Sequence, residues 1–343
     1  MDFQIINPIE YPSWDDLLLT NDQTTFFHTS EWANVLCESY HYKPLYFTVI
    51  ENGRLAALIP IMEISSFLTG KRAVSLPFTD ECHPIAQNAD QFQSLWKNLL
   101  SYGKQAGWRH LAFRGENQFL RGSSSYTHHF MHTLALVKDE MEIFSSFKSN
   151  VKRNIKKARK ESLELVLSNA WTAMRAFYHL NCTTRQEHGL PPQPLSFFRK
   201  IYDHVIAPLH GFVVLASYQA KPIAGAVYFH HAGDAIYKYG ASNRKYQQLR
   251  PNNLVMWQAI KWYCRNGYKT FSFGLTEPEN QGLRQFKHGW GTREMTQYNY
   301  KYDLAKDAFV SAGNTFKSSY NLFKIMPLPL LRLTGKLFYR HVG

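Results

Sequence analysis

Asp80, Glu81 and His83 stand almost consecutively and form the densest titratable cluster in the first half of the chain. Two carboxylates and an imidazole this close can supply a general base for a proton-bearing nucleophile, or a grip for an amine. The same residue types in a loop also serve as turn caps. No fourth ligand follows at a spacing that would close a tetrahedral site, so no metal is expected.

A second chemistry-bearing stretch is cationic. Tyr239-Gly240-Ala241-Ser242-Asn243 reads as a strand end, after which Arg244, Lys245 and Arg250 surround Pro251-Asn252-Asn253. Proline followed by two asparagines suits a helix start. Its unsatisfied N–H groups and dipole favour an anion. Arg244, Lys245, Arg250, Asn252 and Asn253 are therefore the expected holders of a phosphorylated cofactor, although they also suit an ordinary capped helix with basic neighbours. A third stretch runs from Lys148 to Lys160 and includes Lys152 and Arg153. Val151, Ile155 and Ala158 fall at i, i+4 and i+7, which predicts a helix with one narrow apolar seam and a broad cationic face. Such a face is either simply solvated or an arm that meets phosphates.

The elements that must position these residues alternate between strand and helix signals, which predicts an α/β fold. In the first half, Ser30 is the expected cap of a helix through Tyr40. Leu45–Ile50 and Leu55–Ile61 flank Asn52-Gly53, a strong hairpin signal, and a helix over 89–105 precedes a strand over 109–113. The second half repeats this order. Strands over 212–217 and 223–229 flank a turn, a third covers 235–241, a helix covers 253–265, and a strand covers 269–273. Gly107-Trp108-Arg109-His110-Leu111-Ala112-Phe113 also lines up with Gly267-Tyr268-Lys269-Thr270-Phe271-Ser272-Phe273. Together with the matching hairpins, this reads as a duplication.

The chain has 343 residues, with 45% hydrophobic and 19% charged, which is the balance of a folded protein larger than one core usually serves. Lys plus Arg is 39 against 26 for Asp plus Glu. The excess favours polyanionic partners without choosing among them. Four scattered cysteines without CxxC spacing exclude a disulfide framework and fit reduced thiols, and no leader or membrane-spanning run is recognisable. A cytoplasmic protein is expected.

Beyond Asp303, Phe309, Phe316 and Phe323 recur every seven residues and predict a helix face that Pro327 and Pro329 break. Leu330, Leu331, Leu333, Leu337 and Phe338 then form an apolar side opposite Arg332, Lys336 and Arg340. A helix over 328–340 of this kind either lies on anionic lipid or docks on the body of the protein. The expected domains are 1–147, 148–303 and a helical tail, 304–343.

Phe271-Ser272-Phe273-Gly274 followed by Gly282-Leu283-Arg284-Gln285-Phe286-Lys287-His288-Gly289-Trp290-Gly291 resembles the Gly-Leu-x-x-Phe-Lys-x-x-Phe/Trp-Gly signature of FemAB-like transferases. Asn150-Val151-Lys152-Arg153-Asn154-Ile155-Lys156-Lys157-Ala158 is similar to that family's Arg-x-Asn-Ile-x-Lys-Ala segment. Leu76-Pro77-Phe78-Thr79-Asp80-Glu81-Cys82-His83-Pro84 is similar to a loop of relatives found beside exopolysaccharide and exosortase systems. The resemblance spans 26–303 and implies two tandem GNAT-like α/β domains, each a mixed sheet flanked by helices. It implies transfer of an acyl or aminoacyl group from acyl-CoA or aminoacyl-tRNA, with no tightly bound cofactor. The acceptor would be an amine or hydroxyl of an envelope glycan or nucleotide-sugar precursor. By the same resemblance Lys287 sits near the reacting phosphates or carbonyl, and Arg185 and His188 line the substrate cleft. The loop after Tyr239 lacks the Gln/Arg-x-x-Gly-x-Gly/Ala pattern of standard acetyl-CoA-binding GNAT proteins. Against the transferase stands a polyanion-binding protein, for nucleic acid or anionic lipid, that keeps the scaffold without catalysis.

Overall fold

In the computed structural model, residues 3–115, 118–311 and 321–343 are described. The strands are, along the chain, β1 (Phe3–Ile6), β2 (Lys43–Glu51), β3 (Arg54–Ser66), β4 (Gly70–Val74), β5 (Ile85–Ala86), β6 (His110–Arg114) and β7 (Thr127–Ala135). They continue as β8 (Leu163–Ser168), β9 (Gly211–Tyr218), β10 (Lys221–His231), β11 (Asp234–Ser242), β12 (Thr270–Thr276), β13 (Arg293–Asp303) and β14 (Ala308–Phe309). Each half is a mixed α/β unit, as the alternation of signals predicts.

The first compact unit takes the described residues of Met1–His129 and of Thr296–Lys317, together with Phe338–Gly343. The second takes Phe130–Met295 and the described residues of Ser318–Leu337. The compact units thus change over between His129 and Phe130 and are not contiguous, unlike the expected 1–147, 148–303 and 304–343. The cause is strand exchange in sequence: β13 pairs antiparallel with β6, from Asn299↔Arg114 to Asp303↔His110, so a late segment completes the first unit. Backbone hydrogen bonds of this range leave no mark in local composition.

In the first unit β1, β2, β3 and β4 pair antiparallel in turn, and β4 runs parallel to β6. The β2–β3 hairpin turns at Asn52 (φ 52) and Gly53 (φ 73), the left-handed pair that a two-residue turn requires. The helix Ala89–Gln105 lays Phe92, Leu95 and Leu99 on Phe47, Ile59, Ala73, Leu111 and Phe113 to form the core. Phe309, partly buried, packs against this core. It sits in β14 and stacks on Trp96 at 5.7 Å, which corrects the helix face expected from its seven-residue spacing. Phe316 lies outside the described residues. The helix Ser30–Tyr40 is capped by Thr29, one residue before the expected Ser30.

In the second unit β8, β9, β10 and β11 are successively antiparallel, β11 runs parallel to β12, and β12 pairs antiparallel with β7. The helix Pro251–Arg265 buries Val255, Ala259, Ile260 and Tyr263 against Phe212, Val214, Ala226 and Tyr228. The two aligned glycines behave alike. Gly107 (φ 72) and Gly267 (φ 76) end helices in the left-handed region that side chains avoid, and each is followed by a buried or half-buried aromatic and a strand. No helix among the described residues is long and apolar enough to cross a membrane.

Candidate functional site

β11 and β12 are bonded only from Asp234↔Thr270 to Ile236↔Ser272, although both strands continue beyond. Where they part, β12 shifts register against β7 between Ser272 and Leu275. Parted parallel strands leave backbone groups that need other partners, and Lys287 supplies one. Its side chain is 3% exposed. Nζ donates to the carbonyl oxygens of Gly274 and Leu275, each at 2.9 Å. Lys287 is therefore a buried cation that fastens the helix Gln281–His288 to the end of β12.

Around this lysine the fold assembles a cluster that local sequence does not show. His132 from β7, His288 from the same helix and Glu294 from β13 place their ligand-capable atoms within 4.8 Å of one another. Glu294 Oε2 lies 2.9 Å from His132 Nε2 and 3.1 Å from His288 Nε2. Arg284 spans the same carboxylate, Nη2 to Oε1 at 2.7 Å and Nε to Oε2 at 2.9 Å. The Arg284 guanidinium, helped by both imidazoles, holds the Glu294 carboxyl down at about 2. His132 is completely buried. Burial first, then the Lys287 charge, lowers it to about 4 against the pull of Glu294, so it is neutral at pH 7. With Arg284 and Lys287 both cationic, the local field suits proton sharing better than a divalent ion. No metal was expected from spacing, and these three residues are the one group of that composition among the described residues. Only the pairing of His288 with the Lys287 signature offered a sequence signal for it.

One signature glycine, Gly289, has a steric role here. A Cβ on Gly289 would come within 2.7 Å of Val151 Cγ2, so the basic helix Ser149–Lys160 packs directly on the end of the lysine-bearing helix. Lys148 N–H donates to the Gly289 carbonyl at 2.9 Å. Val151, Ile155 and Ala158 form the buried seam that their spacing predicts. Lys152 and Arg153 join Ser149, Lys156, Lys157 and Lys160 around an open cationic hollow of about 630 Å³. Lys152 Nζ also donates to the Ser145 carbonyl at 3.0 Å.

The helix start expected to hold a cofactor is present but arranged differently. Arg250 (φ 57) occupies its cap position in the left-handed region without a side-chain cap, and Pro251 follows. Asn252 Nδ2 donates to Ser242 Oγ at 3.1 Å, while Asn253 is buried, its Nδ2 lacking a hydrogen bond. Arg244 pairs with Glu187 at 3.0 Å, and Lys245 and Arg250 are exposed. Arg185 Nε reaches the Pro191 carbonyl at 3.4 Å, and His188 follows the last turn of the helix Trp171–Glu187. Burial, then Arg244 and Arg185, lower the His188 pKa.

In the first unit the Asp80 loop is built and not merely solvated. Leu76 (φ 47) and Phe78 (φ 60) hold left-handed backbone that such side chains seldom adopt. The loop is anchored by Gln297 Nε2 donating to the Asp80 carbonyl at 2.7 Å and by a Cys82 N–H to Arg114 carbonyl bond at 2.8 Å. His83 Nδ1 lies 3.3 Å from Glu81 Oε1, and the rings of His28 and His83 meet edge-on at 5.5 Å. The sequence cluster is thus joined by His28, which no spacing suggested.

The tail helix Leu328–Val342 meets the body through Leu331, wholly buried, and Gly335, where a Cβ would sit 1.9 Å from the Pro192 carbonyl oxygen. Leu330, Leu333, Leu337 and Phe338 remain 50–56% exposed.

Residues 145–296 match the family model described as an acetyltransferase (GNAT) domain. Among curated proteins, a lipid II:glycine glycyltransferase of Staphylococcus haemolyticus (strain JCSC1435) is 33% identical over 76 residues, 20% of this chain and 18% of that protein. One from Staphylococcus epidermidis is 32% identical over a stretch of the same length. The chain thus spans about a fifth of the length of the curated relatives it matches. Among solved structures, FemX superposes with a TM-score of 0.72 at 14% identity, covering 89% of this chain and 98% of that one. A tandem GNAT protein from the clavulanic acid biosynthesis pathway gives 0.55 at 10% identity, covering 88% and 98%. At such identities these structures establish the fold, a tandem GNAT arrangement.

Proposed function

We propose that this chain, which is similar to FemAB-like, GNAT-superfamily transferases, moves an acyl or aminoacyl group from a phosphorylated donor to an amine or hydroxyl of a cell-envelope or exopolysaccharide precursor. The observation that carries this reading is the buried Lys287 at the parted ends of β11 and β12, beside the His132–His288–Glu294–Arg284 cluster. Parted strands leave backbone groups open to a donor's amide or ester, and a fixed ammonium favours the oxyanion that forms when a nucleophile attacks. In the transfer, the nucleophile's lone pair forms a bond to the carbonyl carbon and the donor's ester or thioester bond breaks. The nucleophile's proton passes to a base. His288, 37% exposed and oriented by Glu294, is the member of the cluster open to substrate. His132 and Arg284 act behind it as positioning residues. Within the first unit, Asp80, Glu81 and His83 would supply a grip for an amine. Arg250, Lys245 and the Asn252–Asn253 turn would meet donor phosphates, with Arg185 and His188 nearby in the same unit. The staphylococcal glycyltransferases support a glycan-precursor acceptor, since lipid II is named for them.

The donor is tested by titrating acyl-CoA and charged tRNA against the purified protein. Acyl-CoA should raise the melting temperature by mass action, whereas tRNA should bind with steep salt dependence through Lys152, Arg153 and their neighbours. Transfer that persists undiminished in both Lys287→Ala and His288→Ala would remove this site from the mechanism. Tight polyanion binding without any transfer would favour the non-catalytic alternative. The exposed Leu330, Leu333, Leu337 and Phe338 support peripheral attachment to an anionic membrane from the cytoplasmic side. Leu333→Ser with Leu337→Ser should release the protein from anionic vesicles, and unchanged binding would end that part of the proposal.

A further inference from the structure

One face of the first unit's sheet packs on the core through Ala73, Leu111, Phe113, Tyr300 and Tyr302. Strand alternation sends Arg72, His110, Arg114, Asn299 and Lys301 to the other face, where they line a cavity of about 540 Å³. The volume is in the range of small-molecule sites. Its charged members are not equivalent. Arg72 is committed to the last turn of the chain: Nε and Nη2 donate to the Gly343 carbonyl at 3.1 and 2.7 Å, and Nη2 to the His341 carbonyl at 2.8 Å. Lys301 lies 5.2 Å from the centre of the Tyr126 ring.

Arg114 is the exception. Its backbone is held on both sides, N–H to Ser75 Oγ at 2.7 Å and carbonyl from Cys82 N–H at 2.8 Å. Its guanidinium, by contrast, makes no hydrogen bond or ion pair among the described residues, and its Nε is buried. Burial alone lowers its pKa, with no carboxylate to offset it. A desolvated guanidinium without a partner destabilises a fold unless an anion completes it, because the fork of donors has lost water and gained nothing. A planar fork of donors with a second cation, Lys301, lining the same cavity matches the oxygens of a phosphoryl group.

We infer that this cavity binds a phosphorylated small molecule, with Arg114 taking phosphoryl oxygens through its fork and Lys301 adding the second positive charge. The site lies wholly within the first unit and does not depend on acyl transfer. Inorganic pyrophosphate and uridine diphosphate serve as probes, one for the bare phosphoryl group and one for a nucleotide carrier. Vesicles containing phosphatidic acid serve as the lipid source. All are measured by thermal unfolding and calorimetry on the full chain. Lys156→Gln with Lys157→Gln is used as background, so that the basic helix does not mask the result.

On that background pyrophosphate or the nucleotide should raise the melting temperature, and Arg114→Gln should weaken that binding at least tenfold. Without ligand, the melting temperature of Arg114→Gln should equal or exceed that of its parent, because an unpaired charge has been removed. Arg114→Lys should retain partial binding. Either of two results with the variant would overturn the inference: binding that is unchanged in Arg114→Gln, or an unliganded Arg114→Gln that melts well below its parent, which would make Arg114 a structural residue. A response to none of the three probes would do the same.

Discussion

Replacing Lys287 with alanine removes two hydrogen bonds from an ammonium and strands the carbonyls of Gly274 and Leu275 at a site where the side chain is only 3% exposed. A hydrogen bond to a charged group contributes about 1.5–3 kcal/mol. Relief from burying the ammonium offsets part of that, leaving a net loss of about 2–3 kcal/mol. At roughly 2–4 °C per kcal/mol for a unit of this size, the melting temperature should fall by roughly 4–12 °C. A second readout is independent of stability. The Lys287 charge is the second contributor, after burial, to the depression of His132. Its removal should move the His132 titration upward from about 4 towards the ordinary histidine value, as followed by NMR of the imidazole. Transfer, once a donor is identified, should slow by about 10²–10³ in kcat if the cation stabilises an oxyanion. Lys287→Arg should keep His132 depressed because the charge remains. A melting temperature within 1 °C of the parent, together with an unmoved His132, would refute the clamp.

The pH dependence of stability should fall in two windows. His132 has a folded pKa below its unfolded value, so its contribution is present above 6.5 and lost as the pH falls towards about 4. Glu294 contributes above 4.5 and loses that contribution as the pH falls through about 2. Denaturation at a series of pH values should show both steps, and His132→Asn should diminish the first, leaving the shares due to the other lowered histidines, among them His110, at about 4, and His188. Gly335→Ala forces a methyl into the Pro192 carbonyl oxygen, so the tail helix must lift at a cost of about 1–3 kcal/mol. Limited proteolysis between Leu328 and Leu337 should accelerate, and an unchanged digestion pattern would show that the helix does not depend on that contact.

Local patterning alone carried much of this protein. The Asn52-Gly53 hairpin, the helix at 89–105, the apolar seam of Val151, Ile155 and Ala158 and the repeated helix-ending glycines at 107 and 267 all follow from backbone conformation and side-chain periodicity, which act over a few residues. The Phe-Lys signature falls on the helix Gln281–His288. Tertiary structure decided the rest. The spacing of Phe309 reads as a helix until β14 places it on Trp96, and the unit boundary at His129 follows from β13 pairing with β6 across most of the chain. His132, His288 and Glu294 come from three elements, and Arg114 is conspicuous only because its guanidinium has no hydrogen-bond or ion-pair partner among the described residues. Sequence periodicity encodes which face of an element is apolar. It does not encode which distant polar groups meet once those faces are buried, and chemistry depends on that meeting.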